Sequence, residues 1–182
     1  MNIEHLFGSK TKVDILKYLI FRWEWISARE LESHLNQSFP AIKKQIDNLE
    51  LAGIVNKNKT GNRWQICIKS SVKPVIFKIF LFDMLNFLQD IKKSYHFLDS
   101  YYVWDLFFLD LDEKIWADLI FVYNEVEDIF LQDVKKQISE FFDKYFLDVK
   151  IVFLKKNDYE KRLKFADKFV LRLTKANQEF RL

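Results

Sequence analysis

Residues 26–69 read ISARELESHLNQSFPAIKKQIDNLELAGIVNKNKTGNRWQICIK, and their spacing decides the architecture of the front of the chain. Ser27 stands three residues before Glu30, the capping-box spacing in which each side chain satisfies a free backbone donor at a helix start. Leu31 and Leu35 follow one turn apart, which predicts a short amphipathic helix over 27–35. Asn36-Gln37-Ser38 interrupts it, and Ser38 and Pro40 suit the cap and first turn of a second helix. Ile42, Ile46, Leu49 and Gly53 recur at helical steps, giving one apolar stripe closed by a residue that tolerates a left-handed C-terminal turn. The opposite face carries Phe39, Lys43, Lys44 and Asp47. Ile54-Val55 then leads to a polar loop around Gly61-Asn62, and the chain returns through Trp64, Ile66 and Ile68 in strand alternation.

The run Ser38–Ile46, closed by Leu49–Val55, resembles the recognition helix of winged helix-turn-helix transcription regulators, and Gly61-Asn62-Arg63-Trp64 resembles their wing. The resemblance implies that residues 38–52 enter the major groove of double-stranded DNA while the wing lies on phosphate or in the minor groove. It assigns DNA contacts to Ser38, Phe39, Lys43, Lys44, Lys57, Lys59 and Arg63. A winged helix also serves in places as a protein-docking module, but local charge favours nucleic acid. Residues 43–73 hold seven cations against two anions, a positive field suited to phosphate.

The whole chain has 182 residues, 49% hydrophobic and 30% charged, enough to bury a core in one domain or two small ones. Its net charge of +3 hides an asymmetry: residues 1–73 hold twelve cations and seven anions, residues 74–182 seventeen and nineteen. Contact with an acidic polymer therefore belongs to the front. Cys67 is the single cysteine, which excludes an internal disulfide and a cysteine-built metal site and fits a reducing cytoplasm. The opening MNIEHLFGSKTK has no apolar run of the signal-peptide kind. The glycines are Gly8, Gly53 and Gly61. Residues 62–182 thus hold no glycine-rich phosphate loop, and no cofactor is expected.

A first helix is expected from Ser9 to about Ile20, with Val13, Leu16, Leu19 and Ile20 inward. His5, His34 and His96 have no partner at a recognisable spacing and receive no role. Residues 70–74 read as a linker, with Pro74 at a helix start. Residues 75–93, VIFKIFLFDMLNFLQDIKK, are apolar nearly all round through Leu85. Lys78 and Asp83 exclude a membrane span, so the pattern predicts a helix buried between domains or against a second copy, a homodimer helix being one choice.

Strands are expected over 103–109, 117–123 and 148–154, with helices over 126–145 and 159–174 and a last short strand at 179–182. The first helix would turn Ile129, Phe130, Val134, Ile138, Phe141 and Tyr145 inward, the second Leu163, Ala166, Phe169, Val170 and Leu173. This order makes a small α/β layer. It resembles the nucleotidyltransferase-like domain that follows a winged helix in some prokaryotic proteins, on residues 106–111 with 117–123, 148–159 and 164–173. That family's chemistry uses a Gly-Ser turn and two aspartates one residue apart, whose side chains share one strand face and a magnesium ion. Here Leu109-Asp110 replaces Gly-Ser, Trp116 replaces the first aspartate, and Asp118 matches the second. The resemblance therefore implies a degenerate, non-catalytic domain. In the rival assignment, Asp110, Asp112 and Asp118 form a magnesium site of an active nucleotidyltransferase; alternatively LDLDEK is a solvated acidic turn.

The expectation is thus an α+β chain. A winged helix-turn-helix DNA-binding domain over 1–73 is followed by a linker or dimer helix over 74–94. The α/β domain over 95–182 resembles a minimal nucleotidyltransferase fold and supplies dimerisation, sensing of a small-molecule effector or partner contact.

Overall fold

The computed structural model describes residues 3–22, 24–104 and 117–171, with the side chains of residues 104, 117 and 118 excepted. The chain divides into two compact units. Residues up to 84, together with 144–146, form the first, and the remaining described residues form the second.

In the first unit, α1 (Ile3–Phe7) precedes α2 (Lys10–Ile20), whose start is capped by Ser9 accepting the Lys12 N–H. Val13, Leu16, Leu19 and Ile20 are buried as their spacing requires. A short strand β1 (Ile26–Ser27) leads into α3 (Ala28–Leu35). Ser27 accepts the Glu30 N–H at 3.2 Å. The Glu30 carboxylate accepts from the Tyr18 hydroxyl on α2 at 3.0 Å, so it is engaged away from the Ser27 end and only the Ser27 half of the expected capping box forms. Leu31 is buried and Leu35 half-buried. Asn36 ends the helix in the left-handed region at φ 49°, which asparagine tolerates better than most residues.

Helix α4 spans Phe39–Leu51, with Pro40 in its first turn and Ile42, Ile46 and Leu49 buried. Its C-terminus is a Schellman closure: Gly53 (φ 73°) donates to the Glu50 carbonyl and Ile54 to the Leu49 carbonyl, both at 2.9 Å. Strands β2 (Val55–Thr60) and β3 (Arg63–Ile68) form a hairpin in register Thr60↔Arg63, turned by Gly61 (φ 60°) and Asn62. Strand β1 pairs antiparallel with β3 through Ile26↔Ile66, giving the order β1-β3-β2. The hairpin is therefore part of a three-stranded sheet rather than a two-stranded one. Two residues are too few to show strand alternation, and Ser27 reads from sequence only as a cap. This succession of helices and this strand order make a winged helix-turn-helix.

Helix α5 (Lys73–Ser94) buries Ile76, Phe80, Met84, Leu88 and Ile91, one stripe at helical spacing. Val75 and Phe82 remain 59% and 48% exposed, so within one chain α5 is buried on one side rather than all round. Also in the first unit, Tyr145 is buried, donates its hydroxyl to the Asp83 carboxylate and lies under the Lys17 ammonium.

The second unit holds β4 (Leu98–Trp104), β5 (Ala117–Tyr123) and β6 (Val149–Lys155) in the order β4-β5-β6. β4 and β5 run antiparallel, β5 and β6 parallel across α6 (Asp128–Asp143). The expected first strand at 103–109 meets β4 only at its start. Residues 105–116, including Asp110, Asp112 and Trp116, lie outside the described residues. Leu119 through Tyr123 are buried in succession, as in a central strand covered on both faces.

Helix α6 turns Leu131, Val134, Ile138 and Phe142 inward, while Ile129 and Phe130 are 70% and 47% exposed. The sequence carries two overlapping apolar stripes here: Val134 and Ile138 are buried as expected, and Leu131 and Phe142 rather than Ile129 and Phe130 complete the inner face. Phe141 lies half-buried, stacked on Phe87 at 3.8 Å between ring centroids. Helix α7 (Lys156–Lys164) buries no residue and ends well before 174. Ala166 takes φ 52°, and Asp167 caps a new turn by accepting the N–H groups of Phe169 and Val170. Leu163, Ala166 and Phe169 are exposed, against expectation, and only Val170 is buried. Leu173 and the last expected strand lie outside the described residues. No helix among the described residues is long and apolar enough to cross a membrane.

Candidate nucleic-acid interface

The two elements that carry the expected contacts, α4 and the β2–β3 hairpin, both use one face for the core. Ile42, Ile46 and Leu49 anchor α4; Val55, Ile66 and Ile68 anchor the hairpin. Helical periodicity then turns Lys43 and Lys44 outward, and strand alternation does the same for Arg63, while Lys59 shares the face of Val55 and reaches solvent where the hairpin runs past the core. All four are exposed. None of the four forms an ion pair among the described residues, and the Lys59 ammonium lies near the Trp64 ring.

Two cations of the same stretch behave differently. Lys57 is 17% exposed and bonds to Asp47 and Glu50 on α4, both at 2.6 Å. Those carboxylates hold its ammonium charged beyond the usual lysine range. Lys57 therefore straps the hairpin to α4, and its charge is spent inside the protein. Lys73 is buried with its ammonium 3.4 Å from the Arg22 carbonyl. The local excess of cations read from sequence thus overstates the charge offered to a phosphate.

Ser38 occupies the cap position of α4 but makes no side-chain cap bond. The Glu32 carboxylate takes that role from α3, accepting the Phe39 N–H at 3.1 Å, where the helix dipole favours an anion. The Ser38 hydroxyl stays exposed at the helix start, beside a half-buried Phe39. Trp64 is half-buried, with the ammonium groups of Lys57 and Lys59 at 5.0 and 5.7 Å from its ring. Cation–π attraction holds both over the indole face.

Between the starts of α3 and α4 and the hairpin lies a cavity of about 810 Å³, lined among others by Ser27, Arg29, Phe39, Asn62, Arg63 and Trp64. It brings Phe39 and Arg63 of the expected set together. Arg29 and Trp64 are additions. Alternation assigns Trp64 to the inner face of its strand, and Arg29 lies outside the basic run, so neither signals a surface role from sequence.

Behind this face, α2 and α3 are locked by a cluster on Tyr18. Its hydroxyl bonds to Glu30, the Arg22 guanidinium lies 3.5 Å above its ring, and His34 stacks on it at 5.0 Å. Burial and the Glu30 carboxylate push the Tyr18 hydroxyl up to about 12. His34 itself is exposed. No group of three or more His, Cys, Asp or Glu side chains that could hold a metal occurs among the described residues.

No protein-family profile matches the chain, and no curated protein matches it. Among solved structures it is similar to a mutant of MepR from a multidrug-resistant S. aureus clinical isolate, at 10% identity, over 77% of this chain and 81% of that one, with a TM-score of 0.44. A mutant of Lactococcus lactis ZitR aligns at 12% identity, over 75% of each chain, with a TM-score of 0.40. A MarR protein from Peptoclostridium difficile aligns at 14% identity, over 79% and 76%, with a TM-score of 0.40. Overlaps of this size do not establish a common fold. The winged-helix assignment stands on the strand order and helix succession of the chain itself.

Proposed function

We propose that the protein is a sequence-specific DNA-binding transcription regulator that uses α4 and the β2–β3 hairpin. One observation carries this reading: Lys43, Lys44, Lys59 and Arg63 are exposed, in no ion pair among the described residues, on two elements that Ile42, Ile46, Leu49, Val55, Ile66 and Ile68 anchor in the core. The cations are held in place without being neutralised. Lys43 and Lys44 meet phosphates or guanine edges from α4. Ser38 and Phe39 supply a hydroxyl for phosphate and a ring for a thymine methyl. Lys59 and Arg63 grip the backbone from the wing. Lys57 acts behind them, through the hairpin's position on α4.

The rear of the chain supplies dimerisation, sensing or partner contact in this proposal, as a nucleotidyltransferase-like domain that has lost catalysis. The β5-α6-β6 crossover supports an α/β unit of that kind, and Trp116 at the first-aspartate position argues for lost metal chemistry. Exposed Val75 and Phe82 on α5 support pairing of two copies.

The test is salt-dependent binding to a short random-sequence duplex. Lys44→Ala with Lys59→Ala weakens binding across sequences and flattens the salt slope by about two units. Binding by the double variant equal to the parent's at every salt concentration refutes the assignment.

A further inference from the structure

We propose that the cavity between the hairpin and the starts of α3 and α4 is the channel for one sugar–phosphate strand of a duplex, with Arg29 as a second anchor opposite the wing. The inference rests on the DNA-binding reading and adds a contact that the basic run does not contain. Its volume of about 810 Å³ places it among clefts that take a substantial ligand rather than a few waters. Its chemistry is that of a phosphate chain. Arg29 from α3 and Arg63 from β3 line it, and a guanidinium presents a planar fork that pairs with phosphate oxygens two at a time. Phe39 and Trp64 add aromatic surface to the cavity lining.

The start of α3 adds to the same field. Its first-turn N–H groups carry the positive end of the helix dipole. Ser27 already accepts from Glu30 at 3.2 Å, which leaves its hydroxyl proton to donate to an anion. Glu32 is the one acid among the lining residues. Its carboxylate is held at the start of α4 by the Phe39 N–H, which offsets part of its repulsion toward a phosphate. Because the channel shares Phe39 and Arg63 with the proposed interface, a strand in it stays in register with α4 in the neighbouring groove.

The experiment measures log affinity against log salt for the full chain on the same random-sequence duplex. Arg29→Ala flattens the slope by about one unit, as loss of one phosphate contact requires. Arg29→Lys keeps the parent slope. Lys135→Ala, at an exposed α6 position outside the channel, also keeps it. Far-ultraviolet circular dichroism matching the parent's establishes that each variant is folded. A parent-like slope in Arg29→Ala, while the Lys44/Lys59 double variant loses about two units, overturns the channel and leaves the DNA reading standing. An equal loss in Lys135→Ala reduces the effect to net charge and overturns the channel as well. No change in any variant overturns both.

Discussion

Lys57 meets two carboxylates at 2.6 Å, so it approaches any duplex already neutralised. A cation that binds phosphate releases counterions, and its removal changes the salt slope by about one unit. A cation that only holds a hairpin does not. Lys57→Met therefore weakens DNA binding while its salt slope stays within about half a unit of the parent's. With its partners about 40% exposed, the pair is worth at most about 1 kcal/mol of stability, read from urea unfolding. A slope loss matching that of a direct contact would place Lys57 on the DNA. Residue type and spacing made the outward lysines of α4 legible, because a buried stripe fixes the opposite face. They could not separate Lys57 from Lys59: alternate strand positions share a face, and the partners Asp47 and Glu50 lie on another element.

At the scale of elements, the joint between α4 and β2 sets where the hairpin leaves the helix. Gly53 makes that joint at φ 73° with the two Schellman bonds behind it. An added Cβ would meet only the Lys69 ammonium at 3.8 Å, so space is available and the backbone alone resists substitution. Gly53→Ala costs about 1–2 kcal/mol in chemical unfolding, since a left-handed residue with a side chain carries that strain. An unchanged unfolding midpoint would mean that the turn relaxes without loss. Both ends of α4 were legible, from Ser38-Pro40 and from Gly53. The start of α3 was legible only in part, because Glu30 answers to Tyr18 on α2. In the second unit, α6 and α7 were misjudged for related reasons. Adjacent apolar stripes leave the buried face of α6 undecided until the sheet is in place. Asp167 can serve equally as a helix residue or as the cap that ends one run and starts another.

For the molecule as a whole, the division of labour follows charge. The front concentrates exposed cations on a winged helix-turn-helix, and the rear is slightly acidic, with a mixed sheet of β4, β5 and β6 among the described residues. The winged helix was legible in the sequence because each of its elements announces itself within a few residues by cap, stripe or turn. The third strand of its sheet was not, since pairing of Ile26 with Ile66 is a long-range event with no local mark. The acid run around Asp110 and Asp112, on which the rival enzymatic reading turns, lies outside the described residues.

The most direct measurement is selection of bound duplexes from a random pool at about 0.05 and 0.2 M salt, comparing the parent with a variant in which Lys43, Lys44, Lys59 and Arg63 are all alanine. The account predicts that the parent retains DNA at the lower salt and enriches a shared sequence at the higher, while the folded variant does neither. Equal retention and enrichment by the variant, or no retention by the parent at the lower salt, would contradict it.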